Sequence, residues 1–551
     1  MVRPDGEGGL QGFKAGRRTG CTCPETTHFD PPTTMCDGMA ESRAPGGLAE
    51  WWIVLKSSDQ PLGNGAVANG GGIDEPRKQP MSRNGSAKPP KLFVIGLDCA
   101  APDLVFRRWK NDLPNLTSLA SQGTWGELQS CIPAITVPAW SCMLSGRDPG
   151  EMGIYGFRNR RDHTYENMSI ATGNAVRVRR VWDYLSEAGK QCAVVGVPQT
   201  YPVRPLNGLL ISDFLTPGIE SEFTYPPELK REILSLVPDY EFDVHNFRTD
   251  DKDWLLRQIQ VMTEKRFVVI DHLLKTKPWD FFMIVEIGVD RIHHGFWSYH
   301  DPEHRRYIPG NRFENAIHDY YVEIDRKLGE WLDAMPPETH VLVVSDHGAK
   351  RMDGGICLNQ WLWEEGYLAF KDEPASGNPV PLEKLKVDWT RTKAWGSGGY
   401  YGRVFLNVKG REPDGTIDQG DLRAVRDELA ERLSTIPDHQ GRDIQTRVFK
   451  PEEIYRSVNG VAPDLLVYFG DLLWRAVGSI GHGALQTFEN DTGPDDCNHA
   501  ENGMFIWCNP HVAGPGHEAS GARLPDIAST ILDLFSIPIP PEMQGRSFLG
   551  G

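Results

Sequence analysis

Three short apolar runs that each end in an acidic residue constrain this chain more than anything else in it. Thr339–Gly348 reads THVLVVSDHG and closes on Asp346 and His347. Lys91–Asp98 reads KLFVIGLD, and Trp279–Asp290 reads WDFFMIVEIGVD and is followed by His293 and His294. Runs of this length, rich in β-branched and aromatic residues, suit strands buried on both faces. In a parallel α/β sheet the carboxyl ends of such strands lie at the rim where ligands bind. One Asp-His pair alone reads as a helix cap beside a satisfied loop histidine. The same ending three times brings several carboxylates and imidazoles to one edge. Mixed oxygen and nitrogen donors suit zinc or manganese better than calcium, and three acidic ends suggest two ions.

Between and after these runs, helix and strand patterns alternate. Leu113-Pro114-Asn115 to Gly123 has Pro at a helix start and Gly beyond its end; Val181–Gly189 reads as a helix and Gln191–Val197 as a strand. Lys252–Lys275 and Phe313–Met335 are longer amphipathic helices on either side of the Trp279 run, which makes βαβ units and a doubly wound, mostly parallel α/β sheet. Residues 370–400 carry Pro, Gly, Ser and scattered aromatics and are expected as a loop-rich surface insertion or lid. Beyond them Gly402–Val408 and Asp464–Phe469 read as strands, Asp418–Ile436 as a helix, Met504–Cys508 as the last strand and Pro525–Phe535 as the closing helix. There is no internal repeat.

Residues 1–88 differ in composition, rich in Gly, Pro, Ser and charge without periodicity, and are expected to be a disordered extension ahead of one domain over 89–551. Cys21, Cys23, His28 and Cys36 within it match no closed zinc spacing. Met81 is an alternative start. A formal net charge of -17 argues against coating nucleic acid or an anionic membrane, because both need a basic face. A small anionic substrate then needs metal or a local basic patch. The ten cysteines are thinly spread, as expected of reduced thiols in a cytoplasmic protein. No apolar run is long enough for a membrane span.

Few other residues carry chemistry. Thr136 lies two residues before Pro138, at the start of a helix expected over Pro138–Leu144. A hydroxyl there is an ordinary N-cap, yet the same place favours an anion, and beside a divalent ion threonine becomes a nucleophile. Asp290 and His294 stand four apart, on one face of a helical turn, where both can grip one ion. His293 points elsewhere in that geometry and reads as structural. A further histidine is needed, and His482 (SIGHG) and His499 (GPDDCNHAENG) both qualify; His499 directly precedes the last strand.

The order of Asp98, Thr136 in P-x-x-T-x-P-x-W, Asp290-xxx-His294, Ser-Asp346-His347-Gly and a late His before a Met-Phe-Ile strand resembles the alkaline phosphatase superfamily, in its type I phosphodiesterase/nucleotide pyrophosphatase branch. The resemblance implies an alkaline-phosphatase-like three-layer sandwich. It further implies that Asp290, His294 and His499 hold one divalent ion, and that Asp98, Thr136, Asp346 and His347 hold another. The ions would be zinc, with manganese as the alternative. Thr136 would be the nucleophile, forming a phospho-threonine on a small phosphate-ester substrate. Phosphodiesterase is the leading activity; a phosphomonoesterase, a phosphomutase or an inactive binding protein are the rivals. A sulfatase is disfavoured, since no Cys-x-Pro-x-Arg site surrounds Thr136. Nucleotide pyrophosphatases of the branch share a phosphate-contacting Asn downstream of the nucleophile. Here Phe157 stands near that place, and Met152 stands where a His precedes the Gly-Ile pair. Nucleotide specificity is therefore not carried over, and Arg158 and Asn159 become the candidates for substrate contact.

Overall fold

The structure is a computed structural model that describes residues 88–512 and 514–549. Residues 1–87, with nearly all of the expected disordered extension, the Cys21, Cys23, His28 and Cys36 set and Met81, lie outside the described residues. Alternation within single strands builds the two main cores. In the strand Lys91–Leu97 every residue after Lys91 is buried. Leu92 and Val94 join the core on one side of the sheet, Phe93 and Ile95 the core on the other. Successive side chains of a strand point to opposite faces, so a run apolar at every position needs cover on both. Pro114–Gln122, Lys252–Thr276, Gly288–His300 and Ala316–Ala334 cover one side; Thr136–Ser145, Val181–Glu187 and Leu524–Leu534 cover the other. This is the three-layer α/β arrangement expected from the sequence.

Across the central sheet the strands run in the order Thr124–Gln129, Asn502–Cys508, Thr339–Val344, Lys91–Leu97, Phe281–Glu286, Cys192–Val195, Gly208–Ile211 and Thr224–Tyr225. The five from Thr339–Val344 to Gly208–Ile211 are mutually parallel, while Asn502–Cys508 is antiparallel to both its neighbours. Gly96 pairs with Val344 and Leu97 with Glu286, so three strands end level with one another. The residues next in sequence after these three ends emerge together at one rim.

Two expected boundaries move. The Trp279 run is not strand up to Asp290: the strand stops at Glu286, and Asp290 lies in the first turn of the helix Gly288–His300. Asp290 and His294 are therefore one helical turn apart, as their spacing suggested. The helix expected from Pro138 begins at Thr136, with Ile135 in extended conformation as its cap.

Part of the expected surface insertion is not surface. Ala394–Ser397 is a strand with Ala394 and Trp395 buried, and it opens a four-stranded sheet with Gly402–Leu406, Leu465–Tyr468 and Arg447–Phe449. This antiparallel sheet has its own core, including Leu358, Val404, Leu429 and Val467. Pro, Gly and Ser hid a short strand whose apolar residues find their cover only from distant segments. Tyrosines tie the sheet to the Thr136 loop: the Tyr468 hydroxyl accepts from the Ala134 amide at 2.8 Å, and the Tyr455 hydroxyl donates to the Ile132 carbonyl at 2.7 Å. Among the described residues no helix is long and apolar enough to cross a membrane.

Candidate functional site

Two adjacent groups of buried donors gather at the rim. Asp98, following Leu97, meets Asp346 and His347, following Val344; one ligand-type atom from each lies within 4.8 Å of the others. His347 Nε2 is 3.1 Å from Asp346 Oδ2 and 3.9 Å from Asp98 Oδ1. Thr136 Oγ1 lies 3.3 Å from the same Nε2. The Trp140 indole, one turn further along the Thr136 helix, donates to Asp98 Oδ2 at 2.7 Å, and the Cys99 amide donates to Asp346 Oδ1 at 3.2 Å. The second group is Asp290, His294, His499 and Cys99, again within 4.8 Å of one another. His294 Nε2 is 3.1 Å from Asp290 Oδ2 and 3.3 Å from His499 Nε2. The rings of His347 and His499 stack at 3.8 Å, so the two groups share a wall.

The hydrogen bonds around the histidines all orient them the same way. Nδ1 of His347 donates to the Gly348 carbonyl at 3.2 Å, Nδ1 of His499 to the Ala134 carbonyl at 3.0 Å, and Nδ1 of His294 to Asp495 Oδ1 at 2.8 Å. Each bond uses a ring N–H; at His347 and His499 it turns the Nε2 lone pair toward the carboxylates, the arrangement that acceptors behind the ring impose on metal-binding histidines, and at His294 it turns Nε2 toward Asp290. Asp98 Oδ1 and Asp346 Oδ2 are buried and have no hydrogen-bond partner. Unpartnered carboxylate oxygens facing imidazole lone pairs in a buried space are costly unless a cation joins them. The residues present therefore fit a pair of divalent ions.

Charge at the site follows from burial and crowding. Burial, then the charge of Asp290, pushes the Asp98 carboxyl well above its ordinary range; burial, then Asp98, does the same to Asp346. Burial lowers His347 to about 4 and, with the other two histidines, holds His499 well below its usual value. Asp290 goes the opposite way: burial alone would raise it, but His294 and Arg291 hold it well down. Burial also disfavours a charged His294, yet Asp495, Tyr400 and Asp290 raise it well above normal. Acid groups that resist ionising next to an imidazole that keeps its proton mark a site short of positive charge.

The other candidates lie differently. His293 is fully buried on the far side of its helix turn, with Nε2 3.3 Å from the Tyr321 hydroxyl and stacked on that ring. His482 belongs to neither donor group; its Nε2 meets Ser479 Oγ at 2.8 Å, and that hydroxyl also bonds Asp491. It is therefore a loop histidine, because its Ser-Ile-Gly-His turn closes on itself. Asn159 accepts from the Tyr155 amide at 2.7 Å and donates to the Gly156 carbonyl at 2.8 Å, so its amide closes a local turn. Arg158 opens the two-stranded hairpin Arg158–Arg160 with Met168–Ile170, and its carbonyl accepts from Arg403. Phe157 packs against Phe214 at 6.0 Å.

Several residues were not singled out by the sequence. Tyr400 stacks over His294 at 4.9 Å, lies tilted against His499 at 4.3 Å and donates to Asp495 Oδ2 at 2.9 Å; Arg248 Nε donates to the same oxygen at 3.1 Å. Arg291 bonds Asp290 and holds Asp243 with two further bonds of 2.7 and 2.8 Å. An acidic pair four and three residues before His499 was a readable signal for Asp495. For Tyr400 and Arg248 there was none, since only the tertiary fold brings them in.

Comparison with known proteins places the chain. The family model described as type I phosphodiesterase/nucleotide pyrophosphatase matches residues 92–495. No curated protein matches. Among solved structures, human ectonucleotide pyrophosphatase/phosphodiesterase 5 is similar at 13% identity over 83% of this chain and 98% of that one, with a TM-score of 0.48. The murine protein is similar at 14% identity over 83% and 98%, with a TM-score of 0.46, and an inactive variant of it in complex with AMP at 14% over 84% and 98%, with 0.47. The family match spans most of the chain, and the chain is accordingly a member of the type I phosphodiesterase/nucleotide pyrophosphatase family, a phosphoric ester hydrolase.

Proposed function

We propose that the chain is a two-metal phosphodiesterase whose nucleophile is Thr136. Asp290, His294 and His499 would hold one ion, and Asp98, Asp346, His347 and Thr136 the other. The three imidazoles favour zinc, with manganese as the alternative. His499 lies beyond the residues matched by the family model, so its place in this reading rests on its distances to His294 and Asp290. Divalent ions here would lower the pKa of an adjoining hydroxyl and offset charge on phosphoryl oxygens.

The chain's own residues supply the rest. Thr136 stands at the first position of the helix Thr136–Ser145, where free amides and the helix dipole favour a developing alkoxide and a phosphoryl anion. Its Oγ1 attacks phosphorus, the alcohol or phosphate leaving group departs, and a phospho-threonine remains for water to hydrolyse. The observation that carries this reading is the pair of unpartnered oxygens, Asp98 Oδ1 and Asp346 Oδ2, beside a histidine nitrogen that touches the Thr136 hydroxyl. No nucleotide specificity is proposed, because Asn159 is occupied locally and Phe157 packs on Phe214. A cytoplasmic location is also proposed, supported by seven unpaired cysteines among the described residues.

Hydrolysis of bis-p-nitrophenyl phosphate against p-nitrophenyl phosphate, by metal-loaded wild type and Thr136→Ala, tests the reading. Wild type should prefer the diester, and the variant should lose at least about a thousandfold in kcat while keeping its melting temperature. An active Thr136→Ala protein removes the nucleophile assignment. Preference for the monoester replaces the phosphodiesterase reading with a phosphatase one and makes Arg158 the next residue to substitute.

A further inference from the structure

We propose that Cys99 supplies a sulfur ligand, from the core side, to the ion held by Asp290, His294 and His499. This rests on the two-metal reading above and adds a fourth protein donor to one of its ions. The Cys99 Sγ, an Asp290 carboxylate oxygen and a nitrogen each of His294 and His499 all lie within 4.8 Å of one another, and all four residues are buried. Three protein donors leave a tetrahedral ion one place short, and the thiol is the further donor within that compass.

The backbone holds the sulfur in place at a cost. Cys99 directly follows Asp98 and sits at φ 65°, a left-handed conformation that glycine takes freely and that costs other residues about 1 kcal/mol or more. A cysteine there keeps the strain and gains only what its side chain does. That side chain points inward: Cys99 is 0% exposed and belongs to the core with Ile287, Tyr321 and Cys497. Four protein donors fill a tetrahedral shell, so a phosphoryl oxygen would join this ion only as a fifth ligand.

The existing hydrogen bonds accommodate the change. The thiol donates to the Gly348 carbonyl at 3.4 Å, and that carbonyl also accepts from His347 Nδ1 at 3.2 Å. When the thiol proton leaves to solvent and the sulfur–metal bond forms, the carbonyl still has a partner. A thiolate donor biases this position toward zinc and away from manganese. The Cys497 thiol is a neighbour of Cys99 but is not among the donors, which makes it the control.

The experiment loads the full chain with cobalt(II) in place of the native ion, counts bound cobalt by elemental analysis and records the near-ultraviolet spectrum. Wild type should bind two ions and show a sulfur-to-cobalt charge-transfer band. Cys99→Ser should lose the band and hold one ion about 10- to 100-fold more weakly, whereas Cys497→Ser should keep it. Two bound ions without the band, or a band that survives Cys99→Ser, overturns the sulfur ligand and leaves the two-metal reading intact. A wild type that binds no ion overturns that reading and the proposal with it. If Cys99→Ser does not fold, zinc-edge X-ray absorption of wild type decides by the presence or absence of a sulfur at about 2.3 Å.

Discussion

Asp495 fixes the orientation of His294, accepting from its Nδ1 at 2.8 Å while also accepting from Tyr400 and Arg248. Asp98, Asp346 and His347 follow apolar runs, and the Asp290–His294 spacing fits one helical turn, so all could be named from order alone. Tyr400 and Arg248 meet on Asp495, and no local pattern announces that. Asp213 is another residue whose role only packing reveals. It is 1% exposed and accepts from the Gln199 amide at 2.5 Å and the Tyr201 amide at 3.3 Å, while the Gln199 side chain accepts from Ser141 in the Thr136 helix. Burial outweighs these bonds and pushes its carboxyl from 3.8 up to about 7. The unfolded chain ionises this group from about pH 4 upward, the folded one only near 7, so its stabilising contribution is lost as pH rises across that window. Asp213→Asn should therefore gain on wild type in unfolding free energy between pH 5 and 8, by at most about 4 kcal/mol, read from urea titrations. A difference that stays constant with pH would show that Asp213 ionises normally.

Among the elements, the contact of the Thr136–Ser145 helix with the strand Lys91–Leu97 decides the geometry. Gly96 sits on the face of Leu92 and Val94, and a Cβ there would meet the Trp140 ring at 2.5 Å and Val285 at 2.8 Å. The same indole donates to Asp98, so the glycine that admits the ring also places the carboxylate. Gly96→Ala should lower stability by about 1–3 kcal/mol through overpacking and reduce phosphodiesterase activity by shifting Trp140. Equal urea midpoints for the two proteins would mean that the helix absorbs the methyl group. Sequence periodicity found this helix but started it two residues late, because Pro138 resembles a first-turn proline while Ile135, not Thr136, is the extended cap. Element ends depend on caps and on what packs against them, which periodicity does not encode.

At the scale of the whole molecule, the site exists only when segments around residues 98, 136, 290, 346 and 499 are assembled. Its buried carboxylates then oppose folding unless a cation accompanies them, since burial and neighbouring carboxylates, Asp290 beside Asp98 and Asp98 beside Asp346, raise both groups. Chelation should lower the melting temperature, and zinc should restore it, with about 4 kcal/mol regained at a thousandfold excess over Kd. The gap should widen as pH rises, because the chelated fold must then ionise Asp98 and Asp346 in place while the loaded one already uses their charge. A melting temperature unaffected by chelator at any pH would mean that the groups hold no ion. By itself the sequence determined the doubly wound α/β sheet, its parallel strands and the residues delivered to the rim, because apolar period and strand-end chemistry are local. Only the tertiary structure decided the antiparallel sheet over residues 394–468, the position of His499 rather than His482 beside His294, and the presence of Tyr400 and Cys99 beside the histidines. Those depend on contacts between residues far apart in the chain, which no local pattern of residues specifies.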